Sequence, residues 1–292
     1  MGKIGFACKW IDFPHQTDGI GKNDDAKKYN TGTTTISWLN RQSRDVAEQK
    51  LWDLTNQNIE ATHKLVKRVG ELDNELRMVR LSSDILPAYT HSDWSYFWRR
   101  SDIRSELENK FKVVGDIGRS KRIRLSFHPG QFCVLASDND NIVERSIEEF
   151  EYHADMARWM GYGQSWHDHG FKINVHLSGR GGADKFRRTW SRLSVEARNL
   201  ITIENDEITH GLDHCLAIGD IVPIVLDIHH HWIREGVYID PASDSVARVV
   251  DSWRGVRPAC HYSVSREDLL VGHDPNQRPD LALLLSQGHK KQ

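Results

Sequence analysis

Seven short apolar runs alternate with stretches of helical periodicity along this chain, and that alternation limits the fold more than any other feature. The runs are Lys3–Cys8, Leu76–Leu81, Arg122–Phe127, Phe171–His176, Leu200–Ile203, Val222–Leu226 and Ala259–Val264. Six of the seven are mixed or nearly continuous in apolar character, the pattern of strands covered on both faces. Between them, Ser43–Val69 sets Val46, Leu51, Leu54, Asn58, Leu65 and Val69 near helical spacing and stops at Gly70. Asp138–Met160 repeats the pattern with Ile142, Ile147, Phe150, Ala154 and Ala157 and stops at Gly161. Shorter helices are expected at Arg99–Gly118, Ala183–Ala197, Leu212–Gly219 and Pro241–Trp253. Such alternation predicts a parallel α/β architecture. No G-x-G-x-x-G follows the first run, so a TIM-type β/α barrel fits better than a doubly wound sheet. Asp12–Ser37, rich in Asp, Asn, Lys, Gly and Thr, reads as one long irregular surface loop. No linker composition breaks the pattern, so residues 1–292 are expected to form a single domain.

Composition removes several classes of function. A hydrophobic fraction of 38% argues against disorder, and no run approaches the roughly 18 apolar residues a membrane span requires. The opening residues lack an apolar signal core, so a cytoplasmic protein is expected. Cys8, Cys133, Cys215 and Cys260 lie far apart without C-x-x-C spacing, which leaves no support for a disulfide framework or a cysteine-based zinc site. Thirty-nine basic against 41 acidic residues give a net charge of -2, so no overall cationic field draws in a polyanion. The 16 histidines are the anomaly, and their positions carry the argument.

Five consecutive runs finish on, or contain, a side chain able to bind metal. They supply His128, His176, Glu204, Asp227 and His261 in turn. In a barrel the carboxyl ends of the strands converge on one rim, where active sites of this fold are built. Imidazole and carboxylate without thiolate suit a hard or borderline divalent ion such as Mn²⁺ or Zn²⁺. Three further imidazoles follow Asp227, of which His230 is the preferred ligand and His229 and His231 are alternates. A cluster of this size holds two or three ions, and two metals about 4 Å apart both activate a water and stabilise the leaving oxygen of a phosphodiester. Any one of these His taken alone is more often a hydrogen-bonded structural residue than a ligand, and for His261, set within its run, the two roles are evenly balanced. His15, His63, His91, His153, His167, His169, His210, His214 and His289 are read as surface or packing residues, and His273 is left open.

The segments around these positions are specific. Arg80–Pro87, Leu125–Gln131, Val175–Gly179, Ile203–Asp206 and Val225–His231 resemble the signature segments of the UV damage endonuclease family, as do Gly5–Cys8 and Trp253–Pro258 with His261. The resemblance runs in order from the first strand to at least residue 268. It implies a TIM barrel holding a divalent metal cluster, Mn²⁺ first and Zn²⁺ or Co²⁺ as alternatives. It further implies hydrolysis of the phosphodiester immediately 5′ of UV photoproducts (cyclobutane dimers and 6-4 products), leaving 3′-hydroxyl and 5′-phosphate ends. The implied metal ligands are His128, His176, Glu204, Asp227, His230 and His261, with Glu204, Asp227 and His230 as the catalytic group. Asp84 sits where some relatives place a metal-site side chain, and a helix cap is the competing role. Gln131 and Phe132 match the segment the family uses to probe the duplex, where a polar side chain beside an aromatic wedges into the base stack. Two departures stand out. Ala259 replaces a lysine that is carboxylated and bridges metals in some members, and the chain is expected to stop short of the last strand and helix of the barrel, Leu281–Gln292 ending before an eighth strand.

Damaged double-stranded DNA is the implied partner, with no membrane and no obligate protein partner. Phosphate contacts are expected from Arg180, Lys185, Arg187 and Arg188, joined by Lys22, Lys27 and Lys28, while glycines 179, 181 and 182 permit close backbone approach. A solvated basic loop is the plain alternative. Trp94, Tyr96 and Trp98 offer a stacking surface, although packing is the expected role of at least two. Two rival functions use the same ligands: a metal-dependent sugar isomerase on the same scaffold, and a non-catalytic binder of DNA lesions.

Overall fold

Each of the seven expected runs contains a strand, shifted by no more than one residue beyond its bounds. The computed structural model describes residues 2–7, 9–10, 24–130 and 133–263. The strands are β1 (Phe6–Ala7), β2 (Met78–Arg80), β3 (Arg124–Phe127), β4 (Lys172–His176), β5 (Ile201–Glu204), β6 (Ile224–Asp227) and β7 (Cys260–His261). Every residue of β3, β5 and β6 is buried, as the near-continuous apolar runs require of strands covered on both faces. The chain divides into two units, residues 1–128 with 152–172 and residues 129–151 with 173–292.

In the first unit β1 pairs with β2 and β2 with β3, both parallel, with Ala7 opposite Arg80 and Arg80 opposite Ser126. The connection from β1 to β2 carries a helix at Arg44–Val69. Ser43 enters it in extended conformation, and Lys67 and Arg68 place positive charge in the last turn, opposite the helix dipole. Its buried face holds Leu51, Leu54, Ile59, Leu65 and Val66, each contributing about 1.5–3 kcal/mol by leaving water. Asn58 is buried on the same face. Its amide donates to the carbonyls of Gly32, Asp84 and Ile85, and its oxygen accepts from Gly32, so one side chain ties two loops to the helix. The Ser101–Ser120 helix passes close to the Met160 carbonyl at Gly115, where any Cβ would overlap that backbone.

In the second unit β4 to β7 are parallel neighbours in chain order. His176 lies opposite Glu204, Glu204 opposite Val225, and Asp227 opposite His261. Helices at Gly182–Trp190, Leu212–Leu216, Ile228–Glu235 and Asp244–Ser252 connect these strands. No helix among the described residues is long and apolar enough to cross a membrane.

Several expectations are corrected. Val46 and Ile142 are exposed rather than part of their helices' buried stripes. In the Asp140–Trp159 helix the buried face is Val143, Ser146, Phe150, Ala154 and Ala157, a spacing of three and four residues that Ile142 does not join. The expected helix Ala183–Ala197 is two, Gly182–Trp190 and Val195–Arg198, because Ser194 accepts from the Ala197 amide and starts a new one. The irregular stretch 12–37 contains a helical turn at Asp24–Lys27 and the start of another, Ile36–Leu39, capped by Thr35. The Ile228–Glu235 helix was not expected at all. Asp227 caps it through the His230 amide and Gly236, with φ of 78°, ends it, so its start and stop signals both stand in the sequence.

Candidate metal centre

The register of the second unit sets the site. Glu204 faces Val225 across β5 and β6, and Asp227 lies two residues further along β6. Side chains alternate with a period of two, so both carboxylates project from the same face. One ligand-competent atom from each of Glu204, Asp227 and His261 lies within 4.8 Å of the other two. His261 Nδ1 is 2.9 Å from Glu204 Oε1. His176 Nε2 stands 3.9 Å from Glu204 Oε2, and His230 Nδ1 stands 3.9 Å from Glu204 Oε1 and 3.7 Å from Asp227 Oδ2. Glu204 is therefore the hub, and it is only 1% exposed.

Neighbouring polar groups hold these side chains. The Asn174 amide donates to Glu204 Oε2 and is itself oriented by the Thr202 hydroxyl, which donates to Asn174 Oδ1 at 2.7 Å. Asn205 clamps Asp227 from the next residue: its Nδ2 donates to the Asp227 carbonyl at 3.0 Å and its Oδ1 accepts from the Asp227 amide at 2.8 Å. The Asn205 carbonyl accepts from His230 Nδ1 at 3.0 Å. Asp206 Oδ1 accepts from the amides of Ile208 and Thr209, which turns Oδ2 to within 3.4 Å of His176 Nδ1. That leaves His176 Nε2 aimed at Glu204, the carboxylate–imidazole–metal arrangement that fixes tautomer and ring orientation.

The electrostatics fit a cation. Burial pushes the Asp227 carboxyl up to about 6, with the nearby Glu204 carboxylate adding to the rise and His230 opposing it. For His176, burial works against the charged ring, but the Asp206 hydrogen bond and the carboxylates of Glu204, Asp206 and Glu207 outweigh it and raise its pKa. Two carboxylates held together out of water favour a proton between them or a dication in its place. The donors are carboxylate and imidazole only. Cys215 in this unit is buried and its thiol is pushed up by that burial, so it offers no thiolate. These residues can hold a divalent ion, with Asp227 giving up its proton.

The remaining expected residues are placed as follows. His128 follows β3 in the first unit, where its carbonyl accepts from the Ser83 hydroxyl. Gln131, Phe132, Lys22, His15, His273 and His289 lie outside the described residues, as does the segment 281–292. Asp84 is exposed in the loop after β2, and no helix begins there, so a cap role is not realised. His229 packs on Trp232 at 5.5 Å and burial lowers the pKa of His231, while His230 stands beside Glu204. Of the basic candidates, Arg187 forms two 2.7 Å bonds to Asp220 and Lys185 pairs with Asp140 at 3.2 Å, while Arg180 and Arg188 are exposed. Lys28 lies over the Tyr29 ring. Gly179, at φ of 104°, abuts the Ala136 backbone, which accounts for that glycine through loop packing. Trp94 and Trp98 are buried, and Tyr96 packs under Arg44. Sequence reasoning overlooked Asn174, Asn205, Asp206 and Glu207 as site residues, although the polar run Glu204–Glu207 at a strand end was the available signal.

A parallel α/β fold with carboxylates and imidazoles gathered at successive strand ends defines a class: parallel α/β proteins with a site whose donors suit a divalent metal. The family model for UV-endonuclease UvdE matches residues 19–280, and the chain belongs to that family. The UV DNA damage endonuclease of Bacillus mycoides (strain KBAB4) is 28% identical over 246 residues, covering 80% of this chain and 72% of the relative. That of Bacillus thuringiensis subsp. konkukian (strain 97-27) is 26% identical over 240 residues, covering 79% and 71%. The crystal structure of SacUVDE superposes with a TM-score of 0.71 at 21% identity, over 94% of this chain and 83% of that one, which shows the shared fold.

Proposed function

We propose that this chain is a metal-dependent DNA-repair endonuclease that hydrolyses the phosphodiester immediately 5′ of UV photoproducts and leaves 3′-hydroxyl and 5′-phosphate ends. The observation that carries the reading is the group of Glu204, Asp227 and His261, both carboxylates buried, at adjoining strand ends of a chain in the UV-endonuclease family. Relatives in that family bear the name UV DNA damage endonuclease, which supports damaged duplex DNA as the substrate. His128, His176, Glu204, Asp227, His230 and His261 are the proposed ligands of two or three ions, Mn²⁺ foremost. Bound there, divalent ions supply Lewis acidity toward a phosphate oxygen and lower the pKa of water.

The chain's own residues do the rest. Glu204 and Asp227 would hold the ion as carboxylates; Asn174 donates to the Glu204 carboxylate, the His230 amide donates to Asp227 Oδ1, and Asn205 fixes the Asp227 main chain. His176 and His230 are held by Asp206 and by the Asn205 carbonyl, so neither ring must reorient when substrate arrives. Gln131 and Phe132 are proposed to probe the base stack, and Arg180, Lys185, Arg187 and Arg188 to meet phosphate. Residues 1–292 acting as one domain, in the cytoplasm, complete the proposal. The test is purified protein with Mn²⁺ and end-labelled, UV-irradiated duplex. Discrete nicks 5′ of photoproducts, abolished in Glu204→Gln, are expected; intact strands beside an active relative would overturn the reading.

A further inference from the structure

The two nitrogens of His230 face different neighbours, and only one of them looks toward the carboxylate hub. Nδ1 lies 3.0 Å from the Asn205 carbonyl oxygen, which can only accept, so Nδ1 carries the proton. The other nitrogen of a neutral imidazole then holds a lone pair. That nitrogen, Nε2, lies 3.4 Å from Glu207 Oε2. Two acceptors face one another, and a cation between them would satisfy both. The separation distinguishes the candidates. A charge-assisted N–H to carboxylate bond closes to about 2.7–2.9 Å. Nitrogen and oxygen ligands about 2.1 Å from a tetrahedral ion stand about 3.4 Å apart, and at an octahedral ion about 3.0 Å.

This cation would not be the one among Glu204, Asp227 and His261. His230 approaches Glu204 and Asp227 through Nδ1, and binding an ion with that atom would break its bond to Asn205. Glu207 is also anchored to the site by sequence, three residues past the hub and next to Asp206, which is held by two backbone amides. We propose that Glu207 is a further metal ligand which, with His230 Nε2, holds a second divalent cation apart from the one among Glu204, Asp227 and His261. The inference rests on the metal-dependent reading above.

Full-length protein stripped of metal is titrated with Mn²⁺, free ion being read by electron paramagnetic resonance. Wild type is expected to take up at least two ions. Glu207→Gln keeps the shape and removes the charge; it is expected to weaken one of them by about tenfold or more and leave the other unchanged. Glu204→Gln is expected to weaken the other. Glu207→Asp, which retains the charge on a shorter stem, is expected to recover part of the lost affinity and serves as the deciding variant should Glu207→Gln lose its near-ultraviolet circular dichroism. Equal stoichiometry and affinity in wild type and Glu207→Gln overturns the inference while leaving metal dependence standing. Absence of Mn²⁺ uptake by wild type overturns both.

Discussion

Replacing Asn205 by alanine tests the claim that this side chain fixes the geometry of the site. Its amide makes two hydrogen bonds to the main chain of Asp227, at 3.0 and 2.8 Å, and both residues are buried. Alanine removes both partners at once and leaves no room for bulk water. Each buried backbone group left without its partner costs about 1–3 kcal/mol, so the substitution should cost about 2–6 kcal/mol. A folded domain has roughly 5–15 kcal/mol in reserve, so the variant should still fold at 25 °C. Equilibrium urea unfolding of the metal-free protein is the assay. With m of about 2–3 kcal/mol/M, the midpoint should fall by about 0.7–3 M while m stays constant. Asn205→Asp keeps the acceptor but loses the donor and places a third carboxylate beside Glu204 and Asp227, so it should lose at least as much. A midpoint for Asn205→Ala within about 0.2 M of wild type would refute the reasoning, because it would mean that the Asp227 backbone finds other partners without cost.

Two further outcomes follow from the structure. The Asp227 pKa of about 6 in the fold lies above its ordinary 3.8, so the metal-free fold binds the proton more tightly than the unfolded chain does. The resulting stability is full below about pH 4 and is lost as pH rises through 6, a change of order 2–3 kcal/mol. Urea midpoints measured at pH 4.5 and 7 should show that loss in wild type and not in Asp227→Asn; a parallel loss in both would assign it to another group. Gly179→Ala should be destabilised by several kcal/mol, because a Cβ there meets the Ala136 backbone at 2.5 Å on a φ of 104°. Gly130→Ala, with nothing within 4 Å, should stay within about 0.5 kcal/mol, and equal thermal midpoints for the two variants would contradict this.

Strand positions, the parallel α/β class and most helices were legible in the order of residues, because apolar periodicity and caps are local properties. So were Glu204 and Asp227, since a charge closing a buried strand is conspicuous in any sequence. Where local signals overlapped, the reading slipped: the Asp227 cap and Gly236 stop defined a helix hidden behind three histidines. Choosing among those histidines needed the helix itself, whose turn carries His230 to Glu204 and sets His229 on Trp232. Nor does any local pattern announce that Arg187 pairs with Asp220, 33 residues away. The same distinction runs through the site. The sequence by itself determined which ligand chemistry the strand ends offer. Only the tertiary structure decided that Glu204 stands opposite Val225 and not opposite Asp227, and that Asn205, Asp206 and Glu207 contact residues of three different elements, Asp227, His176 and His230. Register depends on pairing between distant segments, and no local pattern encodes a stagger of two residues.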